Sequence, residues 1–164
     1  MSKRKFILII LSLLCFQLTS QDIFKAKNTI YYEIGGTGYG LVSINYDRLF
    51  NLSEKIKFTF GLGFSITNSI NVGGTESIGK NQFFIPLQGN FLFGKQRNKF
   101  EFGFGMPLAI DSEKFGIVSN IYVLRLGYRF QPAKKGIMLR ASLNPSIIAI
   151  IPQIMGALAI GYIF

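Results

Sequence analysis

The chain has 164 residues, 49 % of them hydrophobic, a formal net charge of +10, no histidine, no tryptophan and one cysteine. Without histidine there is no Ser-His or Asp-His catalytic arrangement and no usual general base, and one cysteine makes no disulfide framework. After residue 20 no apolar stretch runs long enough for a helical span, an awkward combination for a soluble chain of this hydropathy.

Residues 1–20 predict a secretory signal peptide. Lys3, Arg4 and Lys5 form a basic start, Phe6 to Phe16 an apolar run, and Gln17 to Ser20 a polar end with small Thr19 and Ser20. The run is shorter than the ~20 residues of a spanning helix. Cleavage is expected after Ser20, although Leu18 stands where a small residue is usual. Cys15 lies inside the run behind Leu14, which argues against a lipidation site. Removing the segment leaves residues 21–164 as one β-barrel domain with no cysteine and a formal charge of +7.

Turn signals divide the remainder into eight pieces. The first strand is expected at Thr29–Gly36, closed by the Gly35-Gly36-Thr37-Gly38 cluster, and the second at Tyr39–Leu49, followed by the polar turn 51–55. The third, Ile56–Ile66, reads IKFTFGLGFSI. Every second residue is large and apolar, and Lys57, Thr59, Gly61, Gly63 and Ser65 lie between; a period of two is the mark of a strand. A polar loop at 67–81 leads to the fourth strand, Gln82–Phe93, and the turn 94–98. The fifth strand is Lys99–Ala109, and a loop at 111–116 precedes the sixth, Ile117–Phe130. The turn 132–136 leads to the seventh, Ile137–Ser146, and a short loop near Ile150–Pro152 to the eighth, Gln153–Phe164. Strands of about ten residues suit a tilted crossing of a bilayer. An even count puts both termini, and the short turns, at one end.

Parity sharpens the reading. Phe100, Phe102, Phe104 and Met106 share one face of the fifth strand, and Tyr122, Leu124, Leu126, Tyr128 and Phe130 one face of the sixth. Ile137, Leu139, Ala141 and Leu143 follow in the seventh, and Leu158, Ile160, Tyr162 and Phe164 in the eighth. The charges Glu33, Asp47, Lys57, Glu101, Arg125, Arg129 and Arg140 fall on the opposite parity. An Arg or Lys turned to lipid at mid-membrane costs about 2–4 kcal/mol. The pattern therefore predicts an all-β, eight-stranded antiparallel up-and-down transmembrane β-barrel, apolar outside, with a lumenal charge network. Eight strands leave an interior that side chains fill, so these charges should pair, with Lys57 near a carboxylate. Gly61, Gly63, Gly103 and Gly105 are expected to make room for long neighbours.

Tyr31, Tyr32, Tyr39, Phe50, Phe91, Phe93, Tyr128, Phe130, Tyr162 and Phe164 are expected in interfacial girdles. Lys55, Lys95, Arg97, Lys99, Lys134 and Lys135 gather at the short turns, where anionic headgroups or solvent would meet them. The Ser20-Gln21 boundary, the Phe/Tyr-Gly strands and terminal Phe164 together resemble the small outer-membrane β-barrel proteins, particularly of the Bacteroidetes type. The resemblance covers nearly the whole chain through generic motifs. It implies export to the bacterial outer membrane and contact with outer-membrane lipids. It also implies recognition of the last strand, through Tyr162 and Phe164, by the barrel insertion machinery. It transfers no catalytic, cofactor-binding or metal residue.

Three functions remain open at this point. A non-enzymatic structural or surface-interaction barrel needs no reactive constellation. A narrow pore needs the lumenal charges to line water. A lipid-modifying enzyme needs a mechanism without histidine. A soluble lipocalin-like barrel is the architectural rival, with apolar residues inside and charges outside. A nucleic-acid partner is not expected, because the basic residues are scattered over turns and lumen of an exported chain.

Overall fold

The computed structural model describes residues 26–38, 42–67, 70–72, 75–78, 82–110, 121–148 and 151–164. The expected signal peptide lies outside the described residues, as do Tyr39 and residues 117–120 at the start of the sixth strand.

The strands in chain order are β1 (Asn28–Ile34), β2 (Val42–Asn51), β3 (Ile56–Thr67), β4 (Ile70–Val72), β5 (Thr75–Ile78), β6 (Gln82–Phe93), β7 (Asn98–Ile110), β8 (Ile121–Phe130), β9 (Gly136–Ile148) and β10 (Ile151–Ile163). Eight of them close into a barrel in the order β1-β10-β9-β8-β7-β6-β3-β2. Each neighbouring pair is antiparallel, and β1 joins β10 with Tyr31 opposite Gly161. Closure leaves no edge strand exposed. β4 and β5 pair only with each other. This hairpin stands in what the sequence presents as a polar loop, because its strands of 3 and 4 residues are too short to show a period. β10 begins at Ile151, opposite Ile148, so Ile151 and Pro152, expected in a short loop, belong to the strand; residue 150 lies outside the described residues.

Alternation along each strand sorts side chains into two populations. In β8, Ile121, Val123, Arg125 and Arg129 are buried while Tyr122, Leu124, Leu126 and Tyr128 are exposed. The outward wall is built of large apolar groups: Phe60, Leu62 and Phe64 on β3, Phe100, Phe102 and Phe104 on β7, Ile137, Leu139 and Leu143 on β9, Leu158, Ile160 and Tyr162 on β10. A water-soluble barrel turns such residues inward; here Leu158 keeps 65 % of its surface exposed, while Arg125 keeps 1 %.

Aromatic rings mark both ends of this wall. Near the short turns a ladder runs Phe50–Phe58 (6.3 Å), Phe58–Phe91 (5.2 Å), Phe91–Phe93 (6.5 Å) and Phe93–Phe100 (6.4 Å). Toward the opposite end stand Phe64–Phe83 (5.5 Å) and Phe104–Tyr122 (6.1 Å). Tyr32, Tyr128, Phe130, Tyr162 and Phe164 also lie on the outside.

Tyr31 departs from the girdle expected of it: it is buried in the lumen, since it shares the parity of Glu33. Arg48 departs in the other direction. It is exposed on the outward face of β2, opposite Phe60, close to the short-turn end. At that height its aliphatic stem can lie along apolar wall while the guanidinium reaches the polar boundary.

Candidate functional site: the lumenal charge network

The interior is polar because every barrel strand contributes its small or charged residues to it. Glu33 comes from β1, Asp47 from β2, Lys57 from β3, Glu101 from β7, Arg125 and Arg129 from β8, and Arg140 from β9. All seven are buried. The three arginines and three carboxylates interlock.

Glu33 is the hub. Its Oε1 accepts Arg125 Nη2 at 2.8 Å and Arg140 Nη2 at 2.8 Å, and its Oε2 accepts Arg125 Nη2 at 3.0 Å. Arg140 turns its other terminal nitrogen, Nη1, to Glu101 Oε1 at 3.2 Å. Arg125 Nη1 and Arg129 Nη1 stand 3.9 and 4.0 Å from the same oxygen. Arg129 grips Asp47 in bidentate fashion, Nη1 to Oδ2 at 2.8 Å and Nη2 to Oδ1 at 3.2 Å, the geometry for which a guanidinium is suited and an ammonium is not.

Neutral side chains complete the packing. Arg125 donates to Gln88 Oε1 at 2.6 Å and to Asn144 Oδ1 at 3.3 Å, and Arg129 to Thr29 Oγ1 at 3.3 Å. Gln88 donates its amide to the Tyr31 hydroxyl, and the Arg140 guanidinium lies 4.5 Å from the Tyr31 ring centroid. That ring provides a cation–π face inside the lumen.

The strand alternation does not foreshadow the last element of the site. After β1 the chain turns back into the barrel as a 3-10 turn, Gly36–Gly38, and all three residues are buried. Gly35 and Gly36 take φ of +73° and +82°, backbone that favours glycine. A side chain on Gly36 would also strike the Glu33 carboxylate. Thr37 Oγ1 accepts Arg125 Nη2 at 2.7 Å, and Ser65 donates to the Gly38 carbonyl at 2.5 Å. Gly105 faces the Thr37 methyl so closely that a Cβ there would collide with it. The turn therefore covers the network from the end opposite the short turns.

Lys57 and Lys99 occupy the short-turn end. Lys57 Nζ donates to the Glu54 carbonyl at 3.0 Å, and Lys99 Nζ donates to the Gln96 carbonyl. Lys99 corrects its expected place among the exposed turn residues: β7 begins at Asn98, and Lys99 has the inward parity of Glu101. Gln88, Thr37 and Tyr31 were not legible as site residues. Tyr31 at least carried a signal, its parity with Glu33.

Chemically, this arrangement holds charge against charge. Each carboxylate faces a guanidinium, and among the described residues no group of carboxylate, thiol or imidazole ligands is arranged to hold a metal ion. Removing one member from such a set is costly, because the partner stays buried without its counter-charge.

No family model matches the chain, and no curated protein matches it. Two solved structures are similar to it. The Yersinia pestis outer membrane protein Ail, in a phospholipid bilayer nanodisc, shares 17 % identity over 85 % of this chain and 100 % of that one, with a TM-score of 0.48. The N-terminal β-barrel domain of Pseudomonas aeruginosa OprF shares 14 % identity with the same coverage of each chain and a TM-score of 0.49.

Proposed function

We propose that this chain is a small bacterial outer-membrane β-barrel with a filled lumen, serving a non-enzymatic structural or surface-interaction role. One observation carries the reading: the barrel is inside out for water, with most of its large apolar side chains exposed on the wall while Glu33, Asp47, Glu101 and three arginines are buried. Exposed apolar surface on that scale is stable only against another apolar medium. A closed barrel is also one of only two backbone arrangements that cross a bilayer with their hydrogen bonds satisfied. Aromatic rings toward both ends of the wall match the level of the headgroups.

The paired arginines and carboxylates, together with the inward 3-10 turn, support a plug over a water-filled path. They also support a scaffold over a catalyst, since no charged group of the network is set apart to attack or to exchange a proton. Outer-membrane lipids are the proposed partner of the wall, and the barrel insertion machinery that of Tyr162 and Phe164. Lys55, Lys95, Arg97, Lys134 and Lys135 would face the periplasmic leaflet.

The test is heat-modifiable migration of the full chain with and without detergent. A compact band that shifts on boiling, and that is lost when detergent is removed, is expected. A protein freely soluble without detergent overturns the membrane reading. Planar-bilayer recording of the refolded chain is expected to stay at background; reproducible unit conductance would overturn the plug.

A further inference from the structure

Among the described residues of the barrel strands, Arg48 is the one charged side chain on the outward face; every other charge of those strands is buried. Arg48 stands opposite Asn28, the first residue of β1, and on its other side opposite Phe60 of β3. Asn28 in turn exchanges backbone hydrogen bonds with Phe164, donating its N–H at 3.1 Å and accepting at 2.9 Å. On this side of the barrel the sheet therefore ends at the height of Arg48. Asn28 and Arg48 share the outward parity, and the exposed rings of Phe164 and Phe60 flank them.

The pair offers donors without acceptors. Among the described residues the Arg48 guanidinium has no hydrogen-bond or ion-pair partner. Tyr46, two residues before it on the same face, donates its hydroxyl to Asn28 Oδ1 at 2.8 Å. That bond occupies the amide oxygen and leaves Asn28 Nδ2, a donor of two hydrogens, without a partner among the described residues. Directly opposed residues of a ladder have Cβ atoms about 4.5–5.5 Å apart, close enough for one phosphate to take both donors. A guanidinium fork also matches phosphate oxygens in a way that an ammonium does not. Away from the turns the same face continues as exposed Ile30, Ile44 and Leu62. An arginine facing lipid costs about 2–4 kcal/mol at mid-membrane and about 0–1 kcal/mol near the interface, so this position belongs at headgroup level.

We propose that Arg48 and Asn28 bind the phosphate of an anionic phospholipid in the leaflet beside the short turns, with an acyl chain laid along Ile30, Ile44 and Leu62. Charge complementarity selects this occupant. A headgroup without an ammonium of its own leaves its phosphate to the unpaired guanidinium, and the apolar wall beyond takes the chain. Tyr46 is a positioning residue, since its hydroxyl holds the Asn28 amide. The site rests on the membrane reading of the wall and sharpens it to one headgroup and one place.

The full chain, purified in detergent, is given phosphatidylglycerol or a diacylglycerol with the same acyl chains, and retained lipid is measured by native mass spectrometry. The wild type is expected to retain phosphatidylglycerol and not diacylglycerol. R48Q weakens retention about tenfold, a difference of roughly 1.4 kcal/mol, and R48K, which keeps the charge without the fork, falls between. N28D keeps an acceptor for Tyr46 but sets a carboxylate against Arg48, so it loses retention as R48Q does. N28D carries the comparison alone if R48Q fails to give the compact, heat-modifiable band. A chain soluble without detergent ends the membrane reading and this site with it. A detergent-dependent barrel overturns the site alone if its wild type retains no phosphatidylglycerol, or retains diacylglycerol equally, or if a folded R48Q or N28D retains as much as its parent.

Discussion

The middle of the lumen and its rim hold buried cations in different ways. In the middle, three arginines meet three carboxylates through forked hydrogen bonds drawn from five strands. At the rim, two lysines reach down to carbonyls of the turns three residues before them. The guanidinium is planar and weakly hydrated, and it bridges two partners at once, as Arg140 does between Glu33 and Glu101. The ammonium is a flexible point charge that suits a single turn at the edge. Residue choice inside one barrel thus follows distance from water and the number of partners to be joined.

The sharpest way to break the middle layer is Glu33→Gln. Arg125 and Arg140 would both lose their closest carboxylate, with an expected loss of about 3–5 kcal/mol in equilibrium unfolding from lipid vesicles. If this variant unfolds like the wild type, Glu33 is not the hub. Leu143→Arg puts the same guanidinium on the outward wall, where neither carboxylate nor turn carbonyl awaits it. Its expected cost is about 2–4 kcal/mol in a bilayer; a neutral result would mean that this wall does not face lipid.

Arg125→Lys keeps the charge and removes the fork that joins Glu33, Gln88 and Thr37. An intermediate loss of about 1–3 kcal/mol is expected from the polar groups left without partners, together with easier proteolysis at the 3-10 turn. The smallest effect belongs to the rim. Lys57→Met forfeits the hydrogen bond to the Glu54 carbonyl and relieves repulsion against Lys99, so urea unfolding is expected to shift less than in Glu33→Gln, by about 1.5 kcal/mol. A shift as large as that of Glu33→Gln would erase the difference between the two layers.

Much of the wall was legible because strand alternation is a local property. In IKFTFGLGFSI the split between Phe, Leu and Ile and their small or polar neighbours follows directly from a two-residue period. The parity of Glu101, Arg125 and Arg140 was legible for the same reason. Expectation and structure part at strand ends and where residue type and parity point to different faces. Lys99 looked like a turn residue because β7 starts one residue before it, and Tyr31 looked like a girdle aromatic although Glu33 fixes its side. Arg48 lay on the apolar parity in full view, opposite Phe60. The β4–β5 hairpin was too short to announce itself.

By itself the amino-acid order determined the period, the strand positions and the division of charge from apolar bulk between two faces. Each of these depends on neighbours two residues apart. Tertiary structure alone decided which acid met which base. Glu33 lies 92 residues from Arg125 and 107 from Arg140, and Asp47 lies 82 from Arg129. Such partners are chosen by strand register and ring closure, which the local period does not encode. The turn at Gly36–Gly38 likewise needed the cavity to exist before its glycines and Thr37 acquired a role, since only inside the barrel does Arg125 stand ready to hold it.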